Sequence, residues 1–195
     1  ITIPTNVETI GNRAFYDCNS LTEIIVADGN ESFSSKDGVL YNSDFTKIIC
    51  YPAGKSGEDY TVADSVTIIG DAAFYNCRGL TEITLPDKLT TIEDFAFYYC
   101  NSIQTVILPS TVQSIGQASF YGCTKMTEIY FPKSITVISV GTFSQCIALS
   151  DVYYSGSESD WSAIEIDNSM DMNSYLIKAN VHYNSEGIVK QIQGD

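Results

Sequence analysis

The sequence predicts an α/β repeat solenoid, and three observations predict it. Four cysteines, Cys77, Cys100, Cys123 and Cys146, recur at a constant interval of 23 residues. Apolar residues keep the same interval. Phe15, Phe74, Phe97, Phe120 and Phe143 form one column, Ile10, Ile69, Ile92, Ile115 and Ile138 a second, and Leu21, Leu80, Ile103, Met126 and Leu149 a third. Four of the five prolines, Pro4, Pro86, Pro109 and Pro132, share one position. A unit of this length is too short to bury an apolar face by itself. It buries that face against the matching face of the next unit, so each column becomes a ladder through one continuous core.

The units are 1–23, 60–82, 83–105, 106–128 and 129–151. In Leu80-Thr81-Glu82-Ile83-Thr84-Leu85, apolar residues at 83 and 85 alternate with polar ones, the period of a strand with one buried face. Pro86 cannot donate to a ladder bond, so it ends the strand and turns the chain. A second short strand closes on the Ile92 column, and the segment Asp94–Cys100 predicts a helix of one or two turns. Strands beginning at residues 1, 24, 60, 83, 106, 129 and 152 predict seven rungs, and residues 1–154 form the solenoid.

Residues 24–59 number 36 and break the period. Gly38–Tyr41 and Thr46–Tyr51 flank the polar turn 42–45 and predict a β-hairpin insertion within about 30–58, followed by a surface loop at Pro52–Gly57. The hairpin is expected to replace the short helix of its unit, with no binding role of its own. Residues 155–195 are expected to form a C-terminal cap and tail. Ser155–Asp160 supplies turn and capping residues ahead of a short helix at Trp161–Ile166. Trp161, Ile164, Leu176, Ile177 and Val181 are the residues expected to cover the open end of the core, and Gly187–Asp195 reads as a tail or the start of a further module. A chain that begins on a bare strand suggests a longer parent protein.

The pattern L-x-x-I-x-L-P-x-x-L-x-x-I-x-x-x-A-F-x-x-C, found at Leu80–Cys100, resembles the BspA-like type of leucine-rich repeat found in many bacterial surface proteins. The resemblance covers residues 1 to about 154. It implies a right-handed leucine-rich-repeat solenoid with a parallel sheet on one face, short strands and helices on the other, extracellular or cell-surface display, and adhesion to or binding of host proteins. It implies no catalytic residues. Departures are local: Ala27, Ala63 and Ser155 replace the turn proline, Glu93 and Ser139 the glycine after the Ile column, and Ser119 and Thr142 the alanine.

The formal charge is −14, from 24 acidic against 10 basic residues, which disfavours nucleic acid and anionic membrane surfaces as partners. No apolar run approaches the ~18 residues of a membrane span, and no signal peptide is present. Of the six cysteines, Cys18 joins the four-membered column and Cys50 stands apart. Ladder thiols at strand spacing are too far apart for a relaxed disulfide, and zinc needs closely spaced pairs that do not occur. A buried, weakly polar thiol is the favoured reading, with disulfide or metal as the lesser alternatives.

The single histidine, His182, lies in the expected cap, away from thiols expected in the core, so no Cys–His nucleophile can be assembled. Asp167, Asp171 and Asn173 do not match calcium-loop spacing and read as a solvated acidic loop. No catalytic, cofactor-binding or metal-binding residue is therefore expected.

The outward face of the strands is more informative. The position ahead of each main strand reads Glu23, Asp59, Glu82, Thr105, Glu128, Asp151, nearly a row of carboxylates. The next outward column runs Thr2, Ile25, Thr61, Thr84, Ile107, Tyr130, Tyr153, from hydroxyl-rich to aromatic. Ile107, Glu128, Tyr130, Asp151 and Tyr153 are the candidate ligand-binding residues, with a protein, such as a host extracellular protein, as the partner and a monomer as the binding species. The competing reading is that β-propensity alone selects Thr, Ile and Tyr here, and that the chain is a spacer projecting another domain. A further column, Tyr16, Tyr75, Tyr98 and Tyr121, is expected to stack between units.

Overall fold

Two stretches per unit send alternate side chains inward and outward, and both become strands. The computed structural model describes residues 1–186. In chain order its strands are β1 (Thr2–Ile3), β2 (Ile25–Val26), β3 (Phe33–Lys36), β4 (Val39–Asn42), β5 (Lys47–Cys50), β6 (Asp59–Thr61), β7 (Ile68–Ile69), β8 (Glu82–Thr84), β9 (Thr91–Ile92), β10 (Thr105–Ile107), β11 (Ser114–Ile115), β12 (Glu128–Phe131), β13 (Val137–Ile138), β14 (Asp151–Tyr154), β15 (Glu165–Ile166) and β16 (Asn180–His182). The chain is a β-solenoid of stacked coils, and its helical elements α1 (Glu158–Ser162), α2 (Ser174–Lys178) and one 3₁₀ turn follow the last regular coil.

One face of the coils carries β1–β2, β6–β8 and β10–β12–β14–β16 as three hydrogen-bonded parallel groups. Their register follows the sequence period: Thr105, Val106 and Ile107 stand opposite Glu128, Ile129 and Tyr130, and these opposite Asp151, Val152 and Tyr153. An eighth rung, beyond the seven expected, comes from β16, whose Asn180, Val181 and His182 pair with Asp151, Val152 and Tyr153.

The other face carries β11–β9–β7 in parallel, continued by β5, β4 and β3, and a separate β13–β15 pair. The expected hairpin is the antiparallel pair β4–β5, and a third strand, β3, joins it through Asp37 (φ 52°) and Gly38 (φ 76°). Two successive left-handed residues form the hairpin turn that matches strand twist, and Asp-Gly is a dipeptide suited to it.

The repeated short helix is absent. Between the Ile and Cys columns the chain visits left-handed backbone twice per coil: at Ala72 and Asn76, Phe95 and Tyr99, Ala118 and Gly122, Gly141 and Gln145. Alternate N–H groups therefore point along the stack. Those of Ala72, Phe74 and Asn76 donate to the carbonyls of Asp94, Ala96 and Tyr98 in the next coil at 2.9, 2.7 and 2.7 Å, and Phe95, Phe97 and Tyr99 repeat the pattern one coil later. A helix would turn these donors onto its own carbonyls. Here the coil-to-coil ladder takes them instead.

Packing follows the columns with one exception. Ring centroids step from Tyr51 to Phe74, Phe97, Phe120 and Phe143 at 5.1, 4.9, 5.2 and 5.5 Å. Phe15, the expected first rung, is only half-buried and belongs to a smaller cluster with Ile3, Ile24, Phe33, Leu40 and Cys50. The hairpin separates the first unit from its neighbour, so Tyr51 takes that rung. The first unit's turn reaches across to the third, where Tyr16 stacks on Tyr75 at 4.1 Å and Arg13 pairs with Asp71 at 3.1 Å.

Cys77, Cys100, Cys123 and Cys146 are buried and free, as their column predicts, whereas Cys18, in the first unit, is exposed. At the C-terminal end the helix starts earlier than expected. Ser157 and Asp160 form a capping box that nucleates α1, and Glu165–Ile166 is a strand paired with Val137–Ile138. Trp161 packs on Phe131 and Tyr154, Leu176 is fully buried, and Ile164 and Val181 lie half-buried on the core. Ile177 does not contribute to that cover: it is 52 % exposed, turned away from its inward neighbour Leu176 by one helical step. Asn173 is buried, accepts the Phe143 N–H and donates to the Ser139 and Asp167 carbonyls, replacing bonds a further coil would make. Gly187–Asp195 lie outside the described residues.

Candidate functional site

In a parallel, in-register ladder, equivalent side chains sit one strand spacing apart, about 4.8 Å, which is the stacking distance of flat rings. Val106, Ile129 and Val152 point into the core, so their neighbours point out. Tyr130 stacks on Tyr153 with centroids 4.4 Å apart and planes 8° apart, and Tyr153 stacks on His182 at 4.6 Å and 16°. Beside this three-ring stack run the carboxylates. His182 Nε2 lies 2.7 Å from Asp151 Oδ1, the Ser150 hydroxyl donates to Asp151 Oδ2 at 2.7 Å, and the Tyr130 hydroxyl donates to Glu128 Oε2 at 3.2 Å.

The electrostatics follow from these contacts. The hydrogen bond from His182, then that from Ser150, holds the Asp151 carboxyl below the usual carboxylate range. Burial, then the charge of Glu128, pushes the Tyr130 phenol up; Tyr153 moves the same way by burial and by Glu128 and Asp151.

Four of the five residues singled out from sequence therefore gather around this stack, and Ile107 stands opposite Tyr130 on the next strand. The expected exposure of Tyr130 does not hold: sandwiched in the ladder, it is 4 % exposed, while Tyr153 is half-buried and His182 open. Sequence reasoning missed His182 because it lies 29 residues after Tyr153 rather than 23. The signal was there in the polar-apolar-polar run Asn180-Val181-His182, which copies Asp151-Val152-Tyr153.

The site offers ring faces, carboxylate acceptors and one imidazole. Four buried thiols lie elsewhere and hold their protons: burial pushes Cys50 and Cys146 up to about 12 and raises Cys77 and Cys123 as well. Among the described residues, no three His, Cys, Asp or Glu side chains converge as a metal site, and Asn173 of the Asp167-Asp171-Asn173 loop is committed to backbone bonds. The tyrosine column on the turn side stacks between coils as expected, Tyr75 on Tyr98 at 5.1 Å and Tyr98 on Tyr121 at 4.7 Å. No helix among the described residues is long and apolar enough to cross a membrane.

Comparison with known proteins agrees with this geometry. The family model described as BspA type leucine rich repeat region matches in 6 copies over residues 1–56 and 50–170. No curated protein matches the chain significantly. Among solved structures, a leucine-rich repeat protein from Eubacterium ventriosum ATCC 27560 superposes with a TM-score of 0.75 at 28% identity, covering 78% of this chain and 41% of its own. The pneumococcal vaccine antigen PcpA superposes at 0.72 with 26% identity, over 98% of this chain and 52% of its own. A leucine rich cell surface protein from Faecalibacterium prausnitzii A2-165 gives 0.61 at 29% identity, over 85% and 50%. The chain thus spans about half or less of the length of these structures.

Proposed function

Because the chain belongs to the BspA-type leucine-rich-repeat family, we propose that it is a non-enzymatic recognition module that binds another protein through the strand face of β10, β12, β14 and β16, displayed at a bacterial cell surface or secreted. The observation that carries this reading is the Tyr130–Tyr153–His182 stack beside Glu128 and Asp151. Aromatic rings held rigid by their neighbours lose little entropy on binding, and tyrosine is favoured in interfaces for that reason. The extracellular setting is supported by two of the structural relatives, one a vaccine antigen and one a cell surface protein. Adhesion to a host extracellular protein is the form of recognition that fits such a setting.

The test is saturable binding of the purified chain to a panel of immobilised host extracellular-matrix proteins, with Tyr153→Ala as the probe variant. The wild type is expected to bind at least one member, and Tyr153→Ala to weaken that binding about tenfold or more, as for an interface anchor. Unchanged binding by a folded Tyr153→Ala protein would remove the stack from the interface. No saturable binding to any member would leave the spacer role as the better account.

A further inference from the structure

The turn of the first coil is fastened differently from the turns of the regular coils. The amides of Ala72, Phe74 and Asn76 bond to the next coil, but those of the equivalent Arg13, Phe15 and Asp17 bond to no other coil among the described residues. Its apolar side chains, Val7, Ile10, Phe15 and Leu21, pack in the smaller of the two core clusters. The tip of the turn is held instead by a clasp of side chains on the third coil. Arg13 pairs with Asp71, Asn19 accepts from Asn76, and Tyr16 stacks on Tyr75.

Within the clasp, Tyr16 and Tyr75 converge at their hydroxyl ends. Their ring centroids are 4.1 Å apart with planes tilted by 36°, and the Tyr75 hydroxyl donates to that of Tyr16 at 2.6 Å. The ring carbons beside the two oxygens therefore face each other across the pair. Tyr16 is 50 % exposed, so an oxidant in solution reaches it. Behind Tyr75 the column continues through Tyr98 and Tyr121 at 5.1 and 4.7 Å, flat rings stacked without a bond between hydroxyls. Two other tyrosine pairs come close but lack one requirement. Tyr41 and Tyr60 share a hydroxyl bond of 2.6 Å, yet Tyr41 is buried. Tyr130 and Tyr153 stack, yet Tyr130 is buried and its hydroxyl is turned to Glu128.

We infer that Tyr16 and Tyr75 are a site of oxidative modification, joined as dityrosine by hydrogen peroxide acting through a haem peroxidase. Each phenol gives up one electron and one proton, and together these reduce one hydrogen peroxide to two waters. The two phenoxyl radicals combine through the ring carbons next to oxygen, forming one C–C bond. The hydrogen on each of those carbons then moves to its own oxygen and restores the phenol, so the product is the starting pair less two hydrogen atoms. The new bond closes the chain between residues 16 and 75. It fastens the first coil to the third where the backbone ladder is missing, and it restricts the unfolded chain as any long-range cross-link does.

The experiment treats the whole chain, at low protein concentration, with hydrogen peroxide and a haem peroxidase, and isolates the monomer. Dityrosine fluorescence is expected in that fraction. Mass spectrometry should find the tryptic peptides Ala14–Lys36 and Ser56–Arg78 linked, with fragmentation placing the bond on Tyr16 and Tyr75. Tyr16→Phe and Tyr75→Phe each keep the ring and lose the phenol. Either should lower the dityrosine of the monomer about tenfold or more, because a pair held in contact reacts far faster than rings that meet by chance. The oxidised wild type should unfold at a higher urea concentration than the untreated protein, and oxidised Tyr16→Phe should show no such rise. An equal yield of the same link from chain oxidised in urea would overturn the proposal, since the folded geometry would then be irrelevant. So would a monomer without dityrosine, one whose dityrosine lies mainly on other tyrosines, or a wild-type yield from Tyr16→Phe.

Discussion

The thiol of the cysteine column meets a need that a methyl group would not. In each regular coil the Phe carbonyl faces inward, and the Cys Sγ of the next coil donates to it: Cys100 to Phe74 at 3.0 Å, Cys123 to Phe97 at 3.4 Å and Cys146 to Phe120 at 3.1 Å. A serine would make the bond at a higher desolvation cost, so cysteine is the compromise between polarity and burial. A linkage to pH follows. Burial raises Cys146 from an ordinary 9.0 to about 12, so the folded chain holds the thiol proton more tightly than the unfolded one. The stability this contributes is complete below about pH 9 and is lost as pH rises towards about 12. Denaturation midpoints in urea are therefore expected to fall over that window, and to fall less in Cys146→Ala; parallel curves for the two proteins would contradict the assignment.

At the scale of the element, the turn segment is where sequence and structure part. Eight left-handed positions in the four regular coils make it a coil-to-coil ladder, but only Gly122 and Gly141 among them are glycine. Ala72, Phe95 and Ala118 adopt the same backbone without announcing it, so the local pattern resembles a short helix. The strands, by contrast, are legible because alternation is local, and so is the hairpin β4–β5. Gly122 gives the element its test. Its φ is 73°, and a Cβ there would lie 2.5 Å from the Tyr99 ring. Gly122→Ala should destabilise the fold by about 1–3 kcal/mol, combining backbone strain with overpacking, as read from chemical denaturation. A loss of less than a few tenths of a kcal/mol would mean that the segment relaxes easily and is not held by the ladder.

For the whole molecule, charge is the property that the stacking amplifies. In-register pairing places Asp59 opposite Glu82 and Glu128 opposite Asp151, while Lys and Arg form only three ion pairs among the described residues. A chain of net charge −14 with carboxylates in a row repels itself, and salt screens exposed charges beyond about 10 Å at 0.1 M. The thermal midpoint is therefore expected to rise from low salt to about 0.15 M sodium chloride; a fall would show that the ion pairs outweigh the row. By itself the sequence determined the coil length, the identity of the ladder columns, the thiol burial in the regular coils and which residues share the outward face. Each of these is set by a period that repeats within the chain, so aligning the units on one another suffices to read it. Only the tertiary structure decided that Phe15 yields its rung to Tyr51, that His182 completes the ring stack, and that the strand face divides into three hydrogen-bonded groups. Those outcomes depend on whether bonds and contacts between coils are made, and residues 23 or more apart settle that together rather than one at a time.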